Sequence, residues 1–351
     1  MSNHVASPVP RELIEKMPKA ELHLHMEGAI PIETLYAMAR AKGVPGVRDQ
    51  NDVKKRLAYA NFDEFIRVWL WLNTFVQGET DFEEIAYSVL RDLSRKNVRY
   101  VEAFYSPGNY QEHGLTPQGI TENMIKGKQR AERDFGIRCE FIVDLVRDIG
   151  PAYGMGLVKE LEPFLGKGLI GIGLGGTENR FPADAYEQVY AEARKRGYRL
   201  TAHAGEVAGA PSIWAAIKKL GAERIGHGLR AYEDESLVSY LRKNQTPLEL
   251  CPTSNIKTGV CKSLSSHPMR KYFDQGLLVT VNSDDPTMFD TTINEEYSIL
   301  GDTFHFTWDE LRKVALNAVE ASFMVEAEKE NLVDDFEKQF DHLGAAGPAH
   351  G

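Results

Sequence analysis

Four histidines and a few carboxylates carry the candidate chemistry of this chain. Two of the histidines sit in Glu21-Leu22-His23-Leu24-His25-Met26-Glu27-Gly28. Side chains on a strand alternate with period two, so His23 and His25 point to one side if the segment is extended. Imidazoles so placed can share one metal ion, and imidazole is the commonest protein ligand for zinc. The same spacing also serves as a polar patch on a half-buried strand, so the remaining ligands decide. They come from far along the chain: His203 with Glu206 three residues later, His227 in Ile225-Gly226-His227-Gly228, and Asp284-Asp285-Pro286.

Three imidazoles and one carboxylate make a zinc site with room for a water. Zinc lowers the pKa of that water enough to create a nucleophile near neutrality. Such a site also needs groups that orient and deprotonate the water and one that protonates the substrate. His227 and Asp284 suit the first task, Glu206 the second. Taken singly, each has a plainer use. His227 could be a satisfied core histidine, Asp284-Asp285-Pro286 a helix cap or turn, and Glu206 a solvated loop carboxylate. Gly173, Gly175 and Gly176 could simply allow a tight turn. His113, His267 and His305 fall outside the pattern, and surface or capping roles suffice for them.

Positioning these residues together is a matter of the elements that carry them. Strand-like segments open at Glu21 and recur at Arg99–Tyr105, Arg138–Leu145, Leu169–Leu174, Arg199–His203, Arg224–His227, Pro247–Cys251 and Leu278–Asn282. A segment with helical periodicity follows each. Strands alternating with helices pair in parallel through right-handed crossovers. Eight such units predict an α/β fold, a (β/α)8 TIM barrel, whose catalytic groups gather at the C-terminal strand ends. A doubly wound open sheet is the alternative, but the first strand is not followed by the glycine-rich dinucleotide fingerprint. In the barrel, four of the chain's ten histidines fall at strand ends in one ring.

Residues from about 49 to 97 read as helical throughout, a helical insertion after strand 1. Their stripe of Phe62, Phe65, Ile66, Trp69, Leu70 and Leu72 suits a core or a lid over the site mouth. Helical segments from Trp308 on, such as Leu311–Ala321, are expected to pack outside the barrel as extra C-terminal helices. No linker-like stretch or internal repeat divides the chain, so residues 1–351 read as one domain.

Composition narrows the partners. The chain is 42% hydrophobic and 26% charged, with a net charge of −10 and no polybasic run. Nucleic-acid binding needs clustered Lys and Arg, so a small uncharged or cationic substrate fits better. No run reaches the length of a membrane span, and Met1–Lys19 lacks the apolar stretch of a secretory signal. Cys139, Cys251 and Cys261 form neither a disulfide framework nor a cysteine-type zinc site. A cytoplasmic protein is expected. The fourth strand end offers glycine and leucine where binuclear sites of this architecture carry a bridging carboxylate, so one metal ion is expected. The sequence lacks H-E-x-x-H, the zincin signature, and the paired H-x-E and P-C-x-x-C of the cytidine-deaminase type.

Taken in order, these segments resemble the adenosine/adenine deaminase family of the metal-dependent amidohydrolases. The resemblance rests on the Glu21–Gly28 stretch, His203-Ala204-Gly205-Glu206, Ile225-Gly226-His227-Gly228, Cys251-Pro252-Thr253-Ser254-Asn255 and Asn282-Ser283-Asp284-Asp285-Pro286. It implies zinc-dependent hydrolytic deamination of a 6-aminopurine, with His23, His25, His203 and Asp284 holding one Zn2+. It further implies that activated water attacks C6, Glu206 protonates N1, His227 orients the nucleophile, Asp285 bonds near N7 and the Gly176 backbone meets N3. Two departures bear on the substrate. Adenosine deaminases commonly carry Asp where this chain has Glu27, and adenine deaminases often carry Glu there. The fourth strand reads Gly-Leu-Gly-Gly where many adenosine deaminases have Asp-Leu-Ala-Gly. Against this, Cys251–Asn255 with Thr258-Gly259, and Thr292 through Glu295-Glu296-Tyr297, resemble bacterial adenosine deaminases. Adenosine to inosine is the first reading, adenine to hypoxanthine or a modified 6-aminopurine the second. A non-catalytic purine-binding barrel is the reading from another class; it conflicts with the complete set of His23, His25, His203, Glu206, His227, Asp284 and Asp285.

Overall fold

The structure, a computed structural model, describes residues 9–59 and 62–346. Eight parallel strands pair in sequence order: β1 Lys19–His25, β2 Val98–Tyr105, β3 Arg138–Val146, β4 Leu169–Gly175, β5 Arg199–Ala204, β6 Arg224–His227, β7 Leu248–Leu250 and β8 Val279–Val281. Helices lie between them, so the chain is a (β/α)8 barrel. The seam between β8 and β1 closes through the residues just past β8. Asp284 N–H donates to the His23 carbonyl at 3.1 Å, and His25 N–H donates to the Asp284 carbonyl at 2.9 Å. Below them, Leu22 N–H donates to the Asn282 side-chain oxygen and Ser283 N–H to Glu21. The closure therefore puts the backbones of His23, His25 and Asp284 on adjoining rungs.

The interior is filled unevenly. Phe104 of β2, Ile142 of β3 and Phe323 form one buried cluster. On β4 the residues registered with Ile142, Asp144 and Val146 are Gly171, Gly173 and Gly175. A Cβ on Gly173 would lie 2.6 Å from the Phe104 ring, and one on Gly175 would lie 2.4 Å from Asp144 Oδ2. These glycines clear space for side chains of the neighbouring strands and do not form a tight turn. Lower in the barrel, the buried Arg224 guanidinium pairs with Glu102 and Glu249 and stacks 3.7 Å from the Phe323 ring centre.

The expected segments fall close to the observed ones, with local differences. The helical stretch at 49–97 is three helices, Gln50–Leu57, Phe62–Asn73 and Asp81–Arg95. Of its apolar stripe, Leu72 is buried and Trp69 half-buried, while the side chains of Phe62, Phe65, Ile66 and Leu70 lie outside the described residues. The helix at Pro211–Leu220 begins as α at Ala210 and widens to a π turn over Ala216–Leu220. Strands β7 and β8 are only three residues long, because the residues that follow turn away to build the site. Helix Trp308–Ala321 packs outside β1 and β8, and Glu326–Ala346 packs on it. Among the described residues, no helix is long and apolar enough to cross a membrane.

Candidate active site

Strand alternation delivers His23 and His25 to the interior from β1, and β5 delivers His203 opposite them. The Nε2 atoms of His25 and His203 face each other at 3.2 Å. Asp284 Oδ1 lies 3.4 Å from His25 Nε2 and 3.6 Å from His23 Nε2. His23 Nε2 is buried with no hydrogen-bond partner. Burial opposes charge on His23, yet Asp284 and Glu249 overcome it and hold its pKa up to about 10. The carboxylates thus call for positive charge where the ring nitrogens converge. Burial instead pushes His25 down to about 4, and His203 well below the ordinary value. Neutral imidazoles are the form that ligates, so the donor set fits a divalent metal ion.

The ligating candidates are held from behind, as metal-site residues usually are. His23 Nδ1 meets Glu249 Oε2 at 2.8 Å, and Arg224 Nε meets the other Glu249 oxygen at 2.6 Å. Ser254 Oγ donates to Asp284 Oδ2 at 2.6 Å. Phe104 stacks on His25, with ring centres 5.0 Å apart and planes at 22°. Asp284 and His227 both adopt left-handed backbone, at φ 64° and 59°. Such conformations are uncommon outside glycine and cluster at functional sites.

Glu206 follows β5 and reaches 3.6 Å from His227 Nε2, which lies 3.9 Å from Asp284 Oδ2. Burial, helped by Asp284 and Glu178, pushes Glu206 up to about 8, so its carboxyl keeps a proton at neutral pH. Its loop is anchored by Glu178, which accepts from the N–H groups of Gly205, Val207 and Ala208 and from Ser212 Oγ, all within 2.9 Å. Arg147, also buried, donates to the His203 carbonyl at 2.6 Å.

A second set of carboxylates surrounds the first. Glu27 Oε1 accepts from Ser106 N–H at 2.8 Å, while its Oε2 is buried without a partner. Asp144 Oδ1 and Asp285 Oδ1 are likewise buried and unpartnered. Burial raises all three: Glu27 to about 7, Asp144 to about 7 with Glu27 adding to it, and Asp285 well above the usual range with Asp284 adding to it. Gly28 is required here, because a Cβ would meet Asp285 Oδ1 at 1.8 Å. Gly176 has φ 90° and neighbours Arg147 and Asp148 rather than the histidines.

The structure therefore gathers His23, His25, His203, His227, Glu206 and Asp284, with Glu27 and Asp285 beside them and Gly176 at the rim. Glu249, Glu178, Arg147, Asp144 and His267 were missed as site residues in the sequence. Glu249 had a signal, a charged residue inside the apolar Pro247–Cys251 strand. His267 is 5% exposed, so of the two roles expected for it the surface one is wrong, while its ring does cap a helix, Nδ1 accepting from the N–H of Met269 at the start of Met269–Asp274. Cys251 Sγ comes within reach of His227 and Asp284, but burial pushes its thiol well up and it donates to the Glu249 carbonyl. A thiol that stays protonated makes a poor ligand.

Comparison with known proteins places this geometry. Residues 18–339 match the family model described as adenosine deaminase. An adenine deaminase of Wolinella succinogenes is 35% identical over 323 residues, covering 92% of this chain and 97% of that protein. An adenosine deaminase of Clostridium kluyveri is 31% identical over 338 residues, covering 93% and 95%. Among solved structures, an amidohydrolase from Burkholderia ambifaria with bound Zn superposes with a TM-score of 0.88 at 27% identity, covering 96% of this chain and 94% of that one. With a matching model over most of its length and full-length relatives above 30% identity, the chain belongs to the adenosine deaminase family.

Proposed function

We propose that this protein hydrolyses the exocyclic C–N bond of a 6-aminopurine, releasing ammonia, with adenosine to inosine as the principal reaction. The carrying observation is the meeting of two halves of that chemistry. Ring nitrogens of His25 and His203 converge with Asp284, and the protonated Glu206 carboxyl lies 3.6 Å from His227 across from them. His23, His25, His203 and Asp284 would hold one zinc ion, which when bound supplies an acidified water.

The protein's own groups divide the remaining work. Glu206, protonated at neutral pH, donates to purine N1 and so makes C6 more electrophilic. His227 orients the nucleophile. Asp285, whose buried carboxyl retains its proton, can donate to N7, which only accepts. The Gly176 backbone faces N3. The family resemblance supports each of these roles, and we assign residues 1–351 to a single unit that performs them. The three cysteines are buried and unpaired, which supports a reducing, cytoplasmic setting.

One observation favours adenine as a second reading. Glu27 is fixed by Ser106, and its free Oε2 is a buried acceptor that a free base could satisfy with a ring N–H. The match to an adenine deaminase supports the same reading. The test is ammonia release from adenosine, adenine and N6-modified purines by the zinc-loaded protein. Turnover highest on adenosine supports the first reading, highest on adenine the second; no ammonia from any of them overturns both.

A further inference from the structure

A chain of side chains runs from His267 to His227. It starts from a donor whose direction is fixed, the backbone N–H of Met269, which donates to His267 Nδ1 at 3.2 Å. A ring nitrogen that accepts a hydrogen bond carries no proton, so the neutral His267 ring bears its hydrogen on Nε2. Burial keeps that ring neutral, pushing its pKa down to about 3. His267 Nε2 lies 3.1 Å from Asn255 Oδ1, so its N–H donates to the amide oxygen. The opposite amide orientation would set donor against donor. The Asn255 amide nitrogen is thereby turned toward His227 Nδ1, at 3.2 Å. An amide nitrogen only donates, so His227 Nδ1 must accept, and its hydrogen sits on Nε2. That Nε2 is the atom facing Glu206 and Asp284.

We propose that His267 is a positioning residue which, through Asn255, locks His227 in its Nε2–H tautomer, so that His227 acts in the reaction as a hydrogen-bond donor and not as a base. Donation by a neutral imidazole suits a group that orients a nucleophile and steadies charge developing beside it. The shared base role expected for His227 and Asp284 then falls to Asp284 alone. The kinetic part of this inference rests on the deaminase reading; the tautomer itself does not.

The test uses zinc-loaded protein labelled with 15N-histidine, with the His227 ring signals identified by their loss in His227→Gln. Wild type is expected to show a protonated Nε2 and a bare Nδ1. In His267→Phe, Asn255 loses the partner that orients it, so mixed or reversed protonation is expected, with kcat on the best 6-aminopurine lowered roughly 10- to 100-fold, less than the loss of an acid or base outright would cost. KM and zinc content should stay within about twofold. His267→Gln, whose amide N–H can replace Nε2–H, should restore both the tautomer and kcat. If His267→Phe does not fold, Asn255→Asp serves instead, because a carboxylate accepts only and should draw the His227 hydrogen to Nδ1. Protonated Nδ1 in the wild type, or an unchanged tautomer and kcat in the folded variant, overturns the proposal. Failure of every purine as substrate overturns the deaminase reading while leaving the ring signals to decide the tautomer.

Discussion

Strands β1, β5 and β6, and the segment after β8, end in histidines and aspartates, whereas β2, β3 and β4, which lie between β1 and β5 in the sheet, end in an aromatic ring, one carboxylate and glycines. In the first wall the side chains are braced from behind, His23 by Glu249, Asp284 by Ser254 and His227 by Asn255, while His23 Nε2, His203 Nδ1 and Asp285 Oδ1 stay buried without a partner. The second wall, with Glu27 beside it, leaves buried carboxylate oxygens on Glu27 and Asp144 with no partner. Buried polar groups are normally satisfied, so acceptors left open in a cleft point to a ligand that satisfies them. The difference separates two jobs. The histidine wall braces its side chains from behind and leaves ring nitrogens free for a metal ion, whereas the glycine wall leaves carboxylate oxygens free for substrate.

Each wall can be broken separately. The largest effect is expected for Asp284→Ala, which removes the proposed ligating carboxylate and base: zinc content by atomic absorption should fall well below that of wild type, and turnover below about 1% of wild type. Glu249→Gln should weaken zinc affinity roughly 10- to 100-fold, measured by chelator competition, while kcat at saturating zinc stays within a few-fold. An unchanged affinity would mean that the contact to His23 is incidental.

The selection wall should respond differently. Asp144→Asn is expected to leave kcat within a few-fold and to change the preference between adenosine and adenine through KM, measured by steady-state kinetics. It also carries a stability signature. Burial raises the Asp144 pKa to about 7, above the unfolded value near 4, so the folded protein holds this proton more tightly. That contribution is present at low pH and is lost as pH rises toward 7. Asparagine removes the loss, so the variant should be more stable than wild type at pH 8, by up to about 4 kcal/mol, and little changed at pH 4. Equal denaturation midpoints at pH 8 would show that the carboxylate is not desolvated. The smallest effect concerns pH alone. Burial pushes Glu206 up to about 8, and its proposed role needs the acid form, so kcat/KM should decline as pH rises above neutrality. A profile flat to pH 9.5 contradicts the assignment.

The same division explains what could be read before the structure. Eight strands and the histidines at their ends were legible because period-two spacing and alternation with helices are local patterns. His203–Glu206 and Asp284–Asp285 stood out for the same reason. Gly173 and Gly175 were legible only as turn-formers, since their function is to admit Phe104 and Asp144, and that follows from register between β3 and β4 rather than from sequence spacing. His267 was missed because its link to His227 passes through Asn255 and a backbone N–H forty-two residues beyond His227, a relation with no sequence period. Glu178 was visible at the fourth strand end, yet nothing local announced that it would hold the loop carrying Glu206.

The central claim is that a protonated Glu206 drives deamination at a metal held by other residues. Its most direct test is the rate of ammonia release by wild type and Glu206→Gln, matched in zinc content. Substitution should leave zinc bound and lower kcat roughly 10²- to 10⁴-fold, the usual span for a lost general acid. Near-normal release by the zinc-loaded variant would contradict the account.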